Sequence, residues 1–416
     1  MPGPGRLLGQ AVVAACLLFG LLFLLYQPSG QPQTSSSRGR RTSAKGLVED
    51  ARNSTLGFGA IYVINLPVRS DRRDALSLMS ALNGVDVEYI DGVTGDEVPD
   101  RALPPPASHV TLLSGNIGSW RGHLNAIRAV VENNLDSALI LEDDADWDLR
   151  IHDQMSDFAK ATRTLTQPLA GSKASYADPT FYDPSEGGQP ELMNFAQLPR
   201  TVLPQVSPYG DDWDVLWIGH CGTEAPNINL KDKDKAKLSK TLPRGRVIQY
   251  NDDTVPENHY LNVMEQELDP REIFPDHTRT THHVMGQICS LGYAVSQRGA
   301  RRILYEMGVG KFDGPYDIML RDICEGVNER PKGAVCLSVE PGLFNHHRPV
   351  GLSSYHSDIS EHLDAPVEVA FSENIRYSAR LSIPKLIVGD PELEDQWPDI
   401  VGLEKNDKTE ITRKSS

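Results

Sequence analysis

Between residues 60 and 142 the chain alternates two kinds of apolar pattern, and that alternation limits its fold more than any other feature. "AIYVINLP" (60–67) is a short β-branched run ended by Pro67, and it predicts a buried strand. "RSDRRDALSLMSALNG" predicts a helix with Ser70 or Asp71 as N-cap and Gly84 as its stop, and "VDVEYIDG" predicts a second strand. From Gly115 to Asn134, the residues Ile117, Trp120, Leu124, Ile127 and Val131 recur at spacings of three and four, marking one buried helix face. "SALILEDD" follows as a third strand. Strand, helix, strand, helix, strand is the pattern of a mainly parallel sheet with helices packed on it. Ligands in such sheets gather at the carboxyl ends of the strands.

The remaining chain extends one large α/β domain. "WDVLWIG" (213–219), "CSLGYAVS" (289–296) and "KGAVCLSVEPGLF" (332–344) predict further strands, and "QRGARRILYEM" (297–307) a helix stopped by Gly308. Residues 162–212 turn rich in Pro, Gly, Ser and Tyr and are expected to be an insertion. A second insertion is expected over 224–260, where "NLKDKDKAKLSKTLPRGR" (229–246) alternates charge without an apolar face, as a solvated excursion does. The expected organisation is a short tail (1–6), a transmembrane helix (7–26), a flexible stem (27–55), a catalytic body (56–385) and a C-terminal tail (386–416).

The transmembrane expectation rests on "LLGQAVVAACLLFGLLFLLY", Leu7 to Tyr26, in which only Gln10 is strongly polar. An uncleaved anchor is favoured over a signal peptide because the run is long and no small-x-small cleavage site follows it. The flanking charges leave its orientation open, since Arg6 precedes the span and "RGRR" follows it. Residues 1–45 hold five basic side chains and no acid, which leaves 36 basic against 57 acidic residues beyond them, a charge of −21. A body this acidic is ill suited to neutralise a phosphate backbone, so nucleic acid is excluded as a leading partner. One glycosylation sequon stands at Asn53. Beyond Cys16, the cysteines Cys221, Cys289, Cys324 and Cys336 allow two disulfides in three connectivities, or buried thiols.

The chemistry concentrates in "ALILEDDADWD", where a strand runs into Glu142, Asp143, Asp144, Asp146 and Asp148. Like charges this close repel unless a cation or solvent intervenes, and hard oxygen ligands in a row suit Mg, Mn or Ca. Extended geometry would put Glu142, Asp144 and Asp146 on one side and Asp143 on the other. An acidic loop after a strand is the plain alternative.

Four separated blocks decide between them: "IYVINLPVRSDRR", "GNIGSWRGHLNAIRAVVENNLDSALILEDDAD", "WDVLWIG", and "GPYDIML" with the later "SDI" (357–359). Together, over about residues 59–360, they make the chain resemble glycosyltransferase family 25, the group of lipopolysaccharide and procollagen galactosyltransferases. The resemblance implies an A-type glycosyltransferase fold: a Rossmann-like, mainly parallel sheet with helices on both faces. It implies a divalent metal, usually Mn2+, held by Glu142, Asp144 and Asp146 against the diphosphate of a UDP-sugar, most plainly UDP-galactose. Asn65, Arg69 and Arg72 match the donor-binding stretch, where Arg offers a bidentate fork for phosphate, and Gly118 and His123 fall in the most specific block. Asp317 matches the position of a general base for transfer with inversion to a glycan or glycoprotein hydroxyl. His346, His347 and His356 precede "SDI" and are candidates to approach the metal or diphosphate. Such anchored enzymes are single-pass type II proteins of the Golgi or endoplasmic reticulum membrane with the catalytic body in the lumen. Each residue also has a plainer reading: Arg72 as a surface helix-start residue, Asp317 as a carboxylate complementing a helix dipole, His123 as packing. A non-catalytic binding module with this fold and a metal-dependent phosphohydrolase are the rival functions.

Overall fold

The computed structural model describes residues 44–400, except 173, 186, 187, 189, 353–356 and 360–365. The run Leu7–Tyr26, Cys16, His356 and residues 401–416 lie outside the described residues. Among the described residues no helix is long and apolar enough to cross a membrane.

The strands are β1 (Ile61–Asn65), β2 (Glu88–Asp91), β3 (Ser137–Glu142), β4 (Ala145–Trp147), β5 (Leu192–Asn194), β6 (Val215–Gly219), β7 (Gly222–Glu224), β8 (Arg246–Gln249), β9 (Arg279–His283), β10 (Met285–Ile288), β11 (Gly292–Ser296), β12 (Cys336–Glu340), β13 (Phe344–Arg348) and β14 (Phe371–Ser372). Nine of them form the main path β2-β1-β3-β11-β6-β12-β9-β8-β5. The ladders β1/β2, β1/β3, β6/β12 and β5/β8 are parallel, and β11 and β9 are each antiparallel to both neighbours. Seven of the nine strands therefore run in one sense, in keeping with the expected mainly parallel sheet, and β11 and β9 are the two reversals.

Strand alternation divides the core between two faces. Ile61, Val63, Leu139 and Leu141 point to one face, where Leu76 and Met79 of helix Ser70–Leu82 and Met155 and Phe158 of helix Ile151–Thr166 cover them. Tyr62, Ala138 and Ile140 point to the other, under Trp120, Leu124 and Ile127 of helix Ser114–Glu132 and Met319 and Ile323 of helix Tyr316–Glu325. The expected face of the Ser114 helix holds through Ile127, after which Val130 rather than Val131 is the fully buried residue, because a 3.6-residue turn drifts from a repeat of three and four. Ser70 is the first residue of its helix instead of its cap; Arg69 holds the cap position and its side chain makes no capping bond.

Both presumed insertions build the far edge of the sheet. β5 comes from the first and β8 from the second, and they pair with each other. Tyr209 is fully buried, stacks on Phe58 at 4.8 Å and donates to Leu56 O. The charged excursion holds helix Lys233–Ser239, and Arg244 is buried beneath it, donating to Ser239 O at 3.0 Å. Charge alternation missed this because Arg buries its stem readily once backbone carbonyls take its head. The C-terminal stretch is tied down as far as residue 400: Arg376 pairs with Asp395, and Gln396 and Trp397 bond the backbone around Ser372 and Ile375. The four cysteines form Cys221–Cys289 and Cys324–Cys336 disulfides.

Candidate active site

A cavity of about 790 Å3 opens at the carboxyl ends of β1, β2 and β3, bordered by Leu66, Gly92 and Glu142. Of the nine residues singled out in the sequence, Arg72, Gly118, His123, Glu142, Asp144 and Asp317 line it, and Asn65, Arg69 and Asp146 do not. Gly118 has a steric reason to be glycine: a Cβ there would stand 2.7 Å from Val93 O, so its absence lets the Ser114 helix lie against the loop that follows β2.

The acidic run does not continue as an extended strand. It turns at Asp143 and Asp144 before β4 begins, which breaks the expected alternation and sets these two neighbours around one cation. Arg72 Nη1 lies 2.6 Å from Asp143 Oδ1 and 3.4 Å from Asp144 Oδ2. Asn65 does not face the cavity; its Nδ2 donates to Asp143 Oδ2 at 2.8 Å, so it steadies the carboxylate that steadies Arg72. Arg69 is occupied by Asp71 and by Asp358, at 2.9 and 2.5 Å.

Asp144 is held below the ordinary carboxylate range: burial opposes its charge, but Arg72, His346, Arg380 and Arg348 outweigh it. Asp143 is pushed upward by burial and by the charge of Asp144. Asp144 Oδ1 is buried and accepts no hydrogen bond, and Asn65 Oδ1 behind Asp143 is likewise without a donor. Asp146 is different. It is completely buried and accepts from Ser372 Oγ at 2.5 Å, from Ser378 Oγ and from Arg380 N at 3.1 Å, so its carboxylate is consumed by the protein and is not placed to hold a metal at the cavity. Glu142 lines the cavity, and Asp146, beyond the turn at 143–144, does not. Among the described residues, no three His, Cys, Asp or Glu side chains converge to form a complete metal shell. What fits an added cation is the open Oδ1 of Asp144, with Glu142 on the same cavity wall.

Glu142 accepts from Ser290 Oγ at 2.8 Å. His123 is 2 % exposed, and both of its ring nitrogens have protein partners: Nδ1 with Tyr293 Oη and Nε2 with Ser290 Oγ, each at 3.1 Å. Its ring also stacks on Tyr316 at 4.2 Å. His123 thus lines the cavity with its ring while both nitrogens are engaged within the protein. Asp317 stands in the first turn of helix Tyr316–Glu325, as expected, but one oxygen reaches across to accept Cys289 N–H at 2.9 Å. His346 lines the cavity, whereas His347 turns to Ser372 Oγ at 3.1 Å and burial pulls its pKa down to about 3.

Sequence reasoning missed Ser290, Tyr293, Arg348 and Arg380. Ser290 and Tyr293 lie in the stretch taken simply as a strand, and the only local hint is a hydroxyl next to a cysteine. Arg380, which donates to Asp143 O at 2.9 Å from 237 positions away, has no signal in the sequence.

Residues 58–225 match the model of Glycosyltransferase family 25 (LPS biosynthesis protein). A "Glycosyltransferase 25 family member" from Anopheles gambiae is 32% identical over 109 residues, 24% of this chain and 18% of that protein. Its namesake from Drosophila melanogaster is 31% identical over 111 residues, with the same shares. "Procollagen galactosyltransferase 2" from Mus musculus is 28% identical over 100 residues, 21% of this chain and 16% of the relative. The chain thus spans less than a fifth of the length of these curated relatives. Asp317 and Asp358 lie beyond the matched stretch, while β1, the Ser70 and Ser114 helices and the acidic turn lie within it. Residues 58–225, with the Arg72, Glu142 and Asp144 wall of the cavity, carry the signature of glycosyltransferase family 25.

Proposed function

We propose that this chain is a metal-dependent glycosyltransferase that moves galactose from UDP-galactose to a hydroxyl of a glycan or glycoprotein, with inversion at the sugar. The observation that carries the reading is the convergence of Arg72, Glu142, Asp144 and Asp317 on one cavity of about 790 Å3, a size that suits a nucleotide sugar. Arg72 supplies a cation for the donor diphosphate from between its carboxylates. Asp144 and Glu142 would hold a divalent ion, Mn2+ or Mg2+, a class of ion that commonly binds through one or two carboxylates. When bound, the ion supplies Lewis-acid neutralisation of the leaving diphosphate. Asp317 takes the proton of the acceptor hydroxyl as its oxygen attacks the anomeric carbon opposite the leaving group. The Cys289 N–H holds one Asp317 oxygen and so orients the carboxylate for that transfer.

The same reading extends to location. Two disulfides support a body that matures in an oxidising compartment. With Leu7–Tyr26 as anchor, this fits a Golgi or endoplasmic reticulum membrane protein whose body lies in the lumen.

The test is turnover of UDP-sugars by the purified chain with and without Mn2+, beside Asp144→Asn. Metal-dependent consumption of one UDP-sugar, abolished by the substitution, is expected. A folded protein that binds no UDP-sugar in the presence of metal overturns the reading.

A further inference from the structure

Behind Glu142 runs a buried chain of hydroxyls and one imidazole whose proton directions can be assigned from its end. Ser290 gives its only hydroxyl proton to Glu142 Oε1 at 2.8 Å. Its oxygen then accepts from His123, whose Nε2 lies 3.1 Å from it and 3.4 Å from Glu142 Oε1; both partners are acceptors, so Nε2 carries the proton. With a neutral ring, Nδ1 is an acceptor and takes Tyr293 O–H at 3.1 Å. Tyr293 in turn accepts from Tyr316 O–H at 2.7 Å. Every donor points the same way, from Tyr316 through Tyr293, His123 and Ser290 to Glu142. All four are buried, with exposures of 2, 0, 2 and 6 %. Such a chain is satisfied when an acceptor stands at its end, and Glu142 supplies that acceptor here.

The chain also connects the two sides of the cavity. Tyr316 precedes Asp317, and Ser290 follows Cys289, whose N–H holds Asp317. The Cys289–Ser290 dipeptide thus grips two cavity carboxylates at once, through a backbone N–H on one side and a hydroxyl on the other. The Cys221–Cys289 disulfide fixes that dipeptide to the segment after β6.

We propose that Ser290, backed by His123, is a positioning residue that aims Glu142 into the cavity by holding its Oε1, leaving Oε2 to face the ligands. The inference rests on the transferase reading above, and deepens it by separating a residue that acts through Glu142 from those that touch the donor. Displacing a reacting group by about 1 Å can cost about 100-fold in rate, and removing a hydrogen-bonding support behind a metal-binding carboxylate typically costs about 10- to 100-fold.

The test is a double-substitution cycle on the full chain with Ser290→Ala, Glu142→Ala and both together, measuring kcat and KM for UDP-galactose with Mn2+. Ser290→Ala is expected to lower kcat about 10- to 100-fold with the donor KM changed less than about threefold. In the Glu142→Ala background the same change should cost less than about threefold, because the residue it serves is gone. An equal loss in both backgrounds overturns the positioning role. If the wild-type chain turns over no UDP-sugar, the transferase reading fails by itself, and the same four proteins are compared by urea unfolding. A midpoint lowered by Ser290→Ala only when Glu142 is present upholds the grip on Glu142; equal lowering in both backgrounds refutes it.

Discussion

Arg72 places one guanidinium nitrogen 2.6 Å from Asp143, and the same nitrogen lies 3.4 Å from Asp144, so a single cation holds two adjacent buried carboxylates. Removing one member of such a cluster leaves uncompensated charge away from water. Arg72→Met should destabilise the protein by about 3–5 kcal/mol, read by urea unfolding, and Arg72→Lys should recover part of that loss. An unchanged midpoint for Arg72→Met shows that the cluster is solvated.

Asp144 carries an open acceptor of the site, and Arg72, His346, Arg380 and Arg348 together favour its charge over the opposing cost of burial. Asp144→Asn should therefore cost about 1–3 kcal/mol of stability at neutral pH and leave the protein folded, while turnover falls at least about 100-fold. Thermal unfolding and UDP-sugar turnover measured side by side test the separation.

Asp146 gives the reverse outcome. Four donors, Ser372, Ser378 and the N–H groups of Arg380 and Trp147, lose their shared acceptor in Asp146→Ala. A loss of about 2–4 kcal/mol is expected. Mn2+ binding per folded molecule, read by titration calorimetry, should be unchanged; abolished binding in a folded variant would return Asp146 to the metal.

Glu340 lines a separate small cavity with Glu224, Gln266 and Arg246. Burial first, then the nearby charges of Asp269 and Glu224, push its pKa to about 8, against Gln266 and Arg271. The folded state thus keeps a proton that the unfolded chain releases near the ordinary value of 4.5. Its contribution to stability is complete below about pH 4.5 and is lost as pH rises to about 8. Buried His220 and His283 are pulled down to about 4 by burial, which makes their contribution complete above the ordinary value of 6.5 and lost as pH falls to about 4. Glu340→Gln should flatten the fall in melting temperature between about pH 4.5 and pH 8, an effect on the order of a few kcal/mol, and leave the range below about pH 4.5 unchanged.

The Cys221–Cys289 bridge closes a separation of 68 residues and holds the N–H that orients Asp317. Replacing both cysteines by serine should cost about 2–5 kcal/mol. Below the melting transition, kcat should still be reduced, since the orienting N–H is no longer fixed. Full activity in the folded double variant would show that the Cys289 loop keeps its position without the bridge.

By itself the sequence determined the periodic elements and the face each buries. β1 and β3 are legible because a short unbroken apolar run must be covered on both faces, and the Ser114 helix because apolar residues recurring at three and four share one face. It also determined that carboxylates collect at the end of β3 and that Arg72 and Asp317 are candidates to face them. Tertiary structure alone decided which carboxylates reach the cavity. The turn at 143–144 sends Asp146 to Ser372 and Ser378, more than 220 positions away, and brings Asp143 to Arg72 instead. It also decided that the charged and Pro-rich stretches become sheet edge, because β5 and β8 are each too short to show a period and are defined by the partner they pair with. Local pattern records what a residue must hide; which distant donor satisfies a buried carboxylate depends on contacts that the chain order does not contain.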